Sequence, residues 1–166
     1  MTAPPRVVDT NVGGVANDNI GESTRTPECI LACVVFLTNL MRSGRIALDF
    51  GWEIINEYRH ILRSTGEPGI GDAFLKWVLN NQENPDRCHR VDIGRVAVPA
   101  ELTDFDPADH KFIKTAVASP GAHIAEAVDS LWWKRRADFA AVGIPIDFLC
   151  ADYIKSLSDG KYGADD

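Results

Sequence analysis

A chain of 166 residues, 45% hydrophobic and 25% charged, is long enough to bury a core without covalent staples, and its composition excludes a largely disordered or low-complexity protein. Seventeen Lys and Arg against 24 Asp and Glu leave a net charge of −7. That balance excludes a protein that grips nucleic acid chiefly by neutralising phosphates, so a nucleic-acid role must rest on a local basic surface or on bound divalent cations.

In chain order, Arg6-Val7-Val8-Asp9 reads as a short buried strand ending in an acid, followed by a Gly- and Asn-containing loop. Thr26-Pro27-Glu28 supplies an N-cap and an N1 proline, and Ile30, Leu31, Val34, Leu37, Leu40 and Met41 keep helical spacing until Gly44. Arg45 to Asp49 predicts a second strand. Gly51 to Arg63 predicts a helix with Trp52, Ile55, Tyr58 and Leu62 on its apolar side, and Gly71 to Asn80 a further short helix. Arg90 to Val98 is strand-like but broken by Gly94. A helix starts at Asp106-Pro107-Ala108-Asp109 and runs to about Ala118. His123 to Val128 predicts a strand closed by Asp129, Ser130 to Val142 a helix stopped by Gly143, and Ile146 to Cys150 a last strand. Ala151 to Leu157 allows a final turn or two of helix. Strands alternating with helices predict an α/β fold with a mainly parallel sheet, in one domain over residues 6–157 with flexible ends at 1–5 and 158–166.

The apolar run from Cys29 to Met41 falls short of the roughly 20 residues that a bilayer crossing needs, and Met1 to Val8 lacks a signal peptide's apolar centre. Cys29, Cys33, Cys88 and Cys150 form no CxxC. The four-residue spacing of Cys29 and Cys33 suits two buried thiols better than a disulfide or a zinc knuckle, so a reducing cytoplasm is the expected setting. His60, His89, His110 and His123 show no zinc spacing, and Gly13-Gly14 lacks the lysine of a phosphate-binding loop.

Ligands of parallel α/β sheets gather beyond the carboxyl ends of the strands, which directs attention to acids placed there. Asp9 and Asp129 follow expected strands, Asp109 lies at a helix start, and Glu57 projects from the helix after the second strand. Asp129 could equally cap its helix, Asp109 answer a helix dipole, and Glu57 be one more solvated carboxylate. Asp9 is the least ordinary of the four, as an acid ending an apolar strand ahead of Thr10-Asn11-Val12.

Val7-Val8-Asp9-Thr10-Asn11-Val12 resembles the opening strand of PIN-domain nucleases. Glu57 within Ile54-Ile55-Asn56-Glu57-Tyr58-Arg59 looks like that family's second acid, with Glu53 as an understudy and Asp49 as a competitor. Asp106-Pro107-Ala108-Asp109 resembles its third motif, and Ala127-Val128-Asp129-Ser130-Leu131 its fourth. The likeness spans residues 6 to 150 and departs where Ala127-Val128 replace the usual Thr-Asn and where no further acid follows Asp129. It implies a three-layer PIN-like sandwich whose Asp9, Glu57, Asp109 and Asp129 hold Mg²⁺ or Mn²⁺ and hydrolyse phosphodiesters with a metal-activated water. It also implies RNA as substrate in preference to DNA, and a cognate antitoxin as a partner. A homo-oligomer stays open.

Thr10, Asn11 and Ser130 would support the acids by hydrogen bonds, or else merely shape turns. Lys134-Arg135-Arg136 after Trp132-Trp133 is the densest basic run, readable as a phosphate-backbone contact or as the solvated side of a helix with core tryptophans. Two other classes of function compete with the nuclease. One is a catalytically inactive RNA-binding or regulatory module, and the other a phosphate-ester hydrolase of another acid-site family, although Asn11 interrupts an Asp-x-Asp nucleophile pattern.

Overall fold

The computed structural model describes residues 3–164. Its centre is one sheet of five parallel strands, β1 (Arg6–Val8), β2 (Ile46–Asp49), β3 (Cys88–Val91), β4 (His123–Glu126) and β5 (Ile146–Phe148). They lie in the order β3-β2-β1-β4-β5. The order turns about β1, which pairs with β2 on one edge and β4 on the other, so connections leave in opposite directions and open a crevice at its carboxyl end. Val7, Val8, Ile46, Ala47, Leu48, Ile124 and Ala125 are fully buried, as expected of strands covered on both faces.

Eight helices flank the sheet among the described residues, giving the expected α/β architecture, consistent with a three-layer sandwich: α1 (Thr10–Ala16), α2 (Pro27–Ser43), α3 (Glu53–Ile61), α4 (Ile70–Asn81), α5 (His110–Val117), α6 (Ser130–Lys134), α7 (Arg136–Ala141) and α8 (Ala151–Tyr162). Helix α2 starts as its sequence dictates, with the Thr26 hydroxyl accepting from Cys29 N at 3.2 Å and Pro27 at N1. It stops at Gly44, where a Cβ would lie 2.9 Å from Leu40 Cα. Leu31, expected on the apolar stripe, is instead half exposed, and Cys29 and Cys33 take the buried face.

Thr10 to Ala16 is a helix and not a loop. Asp9 caps it, and Gly13 inside it serves packing: a Cβ on Gly71 of α4 would sit 2.1 Å from Gly13 O, and one on Gly13 would meet Leu62 at 2.7 Å. Ser130 to Val142 is two helices separated at Arg135, and Gly143, at φ 75°, turns the chain towards β5. β3 ends at Val91, before Gly94. Helix α8 continues to Tyr162, so the expected tail from 158 begins later; Met1, Thr2, Asp165 and Asp166 lie outside the described residues.

The cysteines depart from expectation. Cys29 of α2 forms a disulfide with Cys150, which precedes α8, while Cys33 and Cys88 are buried thiols. Spacing along one helix says nothing about a partner 121 residues away. No helix among the described residues is long and apolar enough to cross a membrane.

Candidate metal centre

Val8 of β1 pairs with Ala125 of β4, so the next residues, Asp9 and Glu126, leave the sheet side by side at its carboxyl edge. Asp9 N donates to Ala125 O at 3.1 Å, and the Asp9 side chain turns to accept from Asn11 N at 3.2 Å as the cap of α1. Both acids are deeply buried, Asp9 at 5% exposure and Glu126 at 0%. Glu126 Oε1 accepts from Ala127 N (3.1 Å), Asp129 N (3.0 Å) and the Asn11 side-chain amide. Asp9 Oδ2 and Glu126 Oε2 meet no N–H or O–H donor. The two carboxyl groups instead act directly on one another. Burial pushes both above the ordinary carboxylate range, and the charge of Asp9 pushes Glu126 further.

Glu57 arrives from α3. Asp49 fixes the start of that helix by accepting from Glu53 N (2.9 Å) and Ile54 N (3.0 Å), which takes it out of contention as a site acid. The Tyr58 hydroxyl donates to Val8 O at 2.6 Å and ties the helix to the end of β1. Glu57 next to it then accepts from the Thr10 hydroxyl and pairs with Lys111 Nζ at 2.8 Å. Glu53 N serves the Asp49 cap, and Glu57, not Glu53, makes these site contacts. Asp109 ends a 3-10 turn (Pro107–Asp109) and leads into α5. Its carboxyl is pushed up to about 8, first by burial and then by the charges of Asp9, Asp129, Asp106 and Glu57. Asp129 caps α6, accepting from Leu131 N at 3.0 Å, and its charge also reaches Asp9.

The charges of Asp9, Glu57 and Asp129 thus reach Asp109, but among the described residues no three of these carboxylates meet closely enough to form a ready ligand set for one ion. Asp129, however, does not close the strand: β4 ends at Glu126, and Ala127-Val128 bridge to the cap. Glu126 is the residue missed by sequence reading. Its signal was a lone acid within Ile124-Ala125-Glu126-Ala127, a charge where a covered strand tolerates none without a purpose. Thr10 and Asn11 do hold site carboxylates, on Glu57 and Glu126 respectively, while Ser130 is buried directly after the Asp129 cap.

The basic run is largely occupied. Arg135 pairs with Asp138 (2.6 Å) and Asp104 (3.0 Å), and Arg136 lies 4.4 Å over the Trp133 ring. Trp132 is fully buried against Phe105 and Phe139. Lys134 is exposed and has interactions of its own.

The acids offer only oxygen donors, the charges of Asp9, Asp129 and Glu57 push Asp109 up, and two buried carboxylate oxygens, Asp9 Oδ2 and Glu126 Oε2, lack donors. No protein-family model matches the chain, nor does any curated protein or solved structure.

The metal-free protein should lose stability as pH rises. The folded-state pKa of Asp109, about 8, lies above its ordinary 3.8, so the folded state binds more protons across that interval. The stabilisation is fully present below about pH 4 and is lost as pH climbs through about 8. Allowing for solvent screening at this partly exposed group leaves about 1–2 kcal/mol. Urea midpoints in chelator at pH 5.5 and 8.5 measure it, and Asp109→Asn should flatten the difference; a parent midpoint that rises with pH refutes the assignment.

Proposed function

We propose that the protein is a divalent-metal-dependent nuclease that hydrolyses phosphodiester bonds, with RNA as its substrate. What supports this reading is that the charges of Asp9, Glu57 and Asp129 all reach Asp109, with Asp9 and Glu126 buried next to one another at the carboxyl ends of β1 and β4. Asp9, Glu57, Asp109 and Asp129 would hold Mg²⁺ or Mn²⁺, and Glu126 would stand behind Asp9. A bound ion supplies an acidified water and stabilises the charge that develops on phosphate. It also makes a substrate polyanion compatible with a net charge of −7.

The chain's own groups do the positioning. Asn11 and the backbone amides of 127 and 129 hold Glu126, while the Thr10 hydroxyl orients Glu57. Lys111, paired with Glu57 at 2.8 Å, puts a cation beside the acids that would meet a phosphate oxygen of the substrate. The resemblance to PIN nucleases supports RNA over DNA and a protein antitoxin as a regulatory partner.

Labelled single-stranded RNA and DNA, incubated with Mg²⁺, Mn²⁺ or chelator, test the reading. Cleavage should require the divalent ion, favour RNA and vanish in chelator. Undiminished cleavage by metal-stripped protein excludes the mechanism, and metal-independent RNA binding without cleavage favours the inactive-module alternative.

A further inference from the structure

Where α2 meets the start of α8, three sulfurs come together. The ligand atoms of Cys29, Cys33 and Cys150 all lie within 4.8 Å of one another, and the residues are at most 6% exposed. Cys29 and Cys33 stand one turn apart on α2, and Cys150 comes from the start of α8. Cys33 Sγ is 4.0 Å from Cys150 Sγ. Thiolates bound to one tetrahedral zinc at about 2.3 Å lie roughly 3.8 Å apart, so this pair is already spaced as two ligands of one ion.

The surroundings also favour anionic sulfur. Cys29 occupies the first turn of the 17-residue α2, and Cys150 is the N-cap of the 12-residue α8. Two helix N-termini therefore converge on the cluster, an environment that stabilises thiolate. A cavity of about 190 Å³ is lined by Cys29 and Cys150 and bordered by Glu28 and Asp152, so two of the three cysteines border open space.

We infer that, once the Cys29–Cys150 disulfide is reduced, Cys29, Cys33 and Cys150 form a three-thiolate site for a thiophilic divalent cation, Zn²⁺, separate from the acidic centre. A dithiol reductant opens the disulfide, giving two thiols and becoming a disulfide itself. Zn²⁺ then displaces three thiol protons and forms three Zn–S bonds. The site and the disulfide exclude each other, so the cluster binds metal only under reducing conditions.

Co²⁺ is the probe, because thiolate ligation produces an intense sulfur-to-cobalt charge-transfer band that oxygen ligands do not. Reduced, anaerobically desalted protein should develop the band with one equivalent of Co²⁺ and lose it to Zn²⁺, while the oxidised protein should show none. Cys33→Ser should weaken Co²⁺ binding at least tenfold. Alkylation followed by mass spectrometry provides a readout on the parent chain, independent of that variant: Zn²⁺ should slow labelling of Cys29, Cys33 and Cys150 and leave Cys88 unchanged. The absence of a charge-transfer band in the reduced parent, an unaltered band in Cys33→Ser, or equal protection of Cys88 overturns the site. None of these outcomes depends on whether the acidic centre cleaves RNA.

Discussion

Addition of Mg²⁺ or Mn²⁺ at about a hundredfold excess over Kd should raise the melting temperature of the parent protein by about 5–10 °C, and that of Asp9→Asn by far less. A ligand that binds only the folded state stabilises it by RT ln(1 + [L]/Kd), about 2.7 kcal/mol at that excess, and a domain of this size shifts about 2–4 °C per kcal/mol. Asparagine keeps the size of Asp9 and an oxygen able to accept from Asn11 N, so the cap of α1 persists while one charge leaves the cluster. Without metal, the variant should melt at the same temperature as the parent or higher, because Asp9 contributes repulsion towards Glu126, Glu57 and Asp129. Were Asp9 only a helix cap, loss of its charge would lower stability by up to about 1 kcal/mol and leave the metal response intact. Equal metal-induced shifts in the two proteins would remove Asp9 from the ligand set.

Glu126 should respond in opposite directions to two substitutions. Glu126→Gln reproduces the protonated carboxyl: its oxygen accepts from Ala127 N, Asp129 N and Asn11, and its amide donates to Asp9 Oδ2, which has no donor in the parent. At pH 8 and without metal, the variant should be more stable by about 1–3 kcal/mol, since folding no longer has to bury a second interacting charge. Glu126→Ala leaves the Asp129 amide and the Asn11 side-chain amide without this acceptor, opens a void beside β1, and should lose about 2–4 kcal/mol. Both should reduce metal affinity. Urea unfolding in chelator checks the pair, and a destabilised Glu126→Gln would mean that the two carboxyls are not in conflict.

Much of this fold is legible from local chemistry. Thr26-Pro27-Glu28 can only open a helix with ease, and Val7-Val8, Ile46-Ala47-Leu48 and Ile124-Ala125 are runs whose burial on both faces follows from being apolar at every position. The features that stay hidden depend on residues far along the chain. Gly13-Gly14 reads as loop because helix propensity disfavours glycine, and only the arrival of α4 shows why a side chain at 13 is excluded. Arg135 splits the predicted long helix while pairing with Asp104, 31 residues upstream. Asp9, Asp109 and Asp129 stand out because each sits at an element boundary, and Glu57, inside α3, stands out through the resemblance of its helix to the second PIN motif. Glu126 does not, since an acid inside an expected strand reads as a solvent-facing residue until β1 covers it. The Cys29–Cys150 pairing is a matter of tertiary proximity that spacing within α2 does not encode.

The strand order β3-β2-β1-β4-β5 has a consequence for synthesis. As the chain emerges from the ribosome, β1, β2 and β3 can pair among themselves, but one edge of β1 stays open until β4 begins at His123. Until then Asp9 has neither Glu126 nor Asp129 beside it. A nascent or truncated chain ending before β4 would therefore carry an exposed central strand and an unfinished acid cluster. Closure of β1 and completion of the acid cluster are therefore one event, which waits for the chain through Asp129.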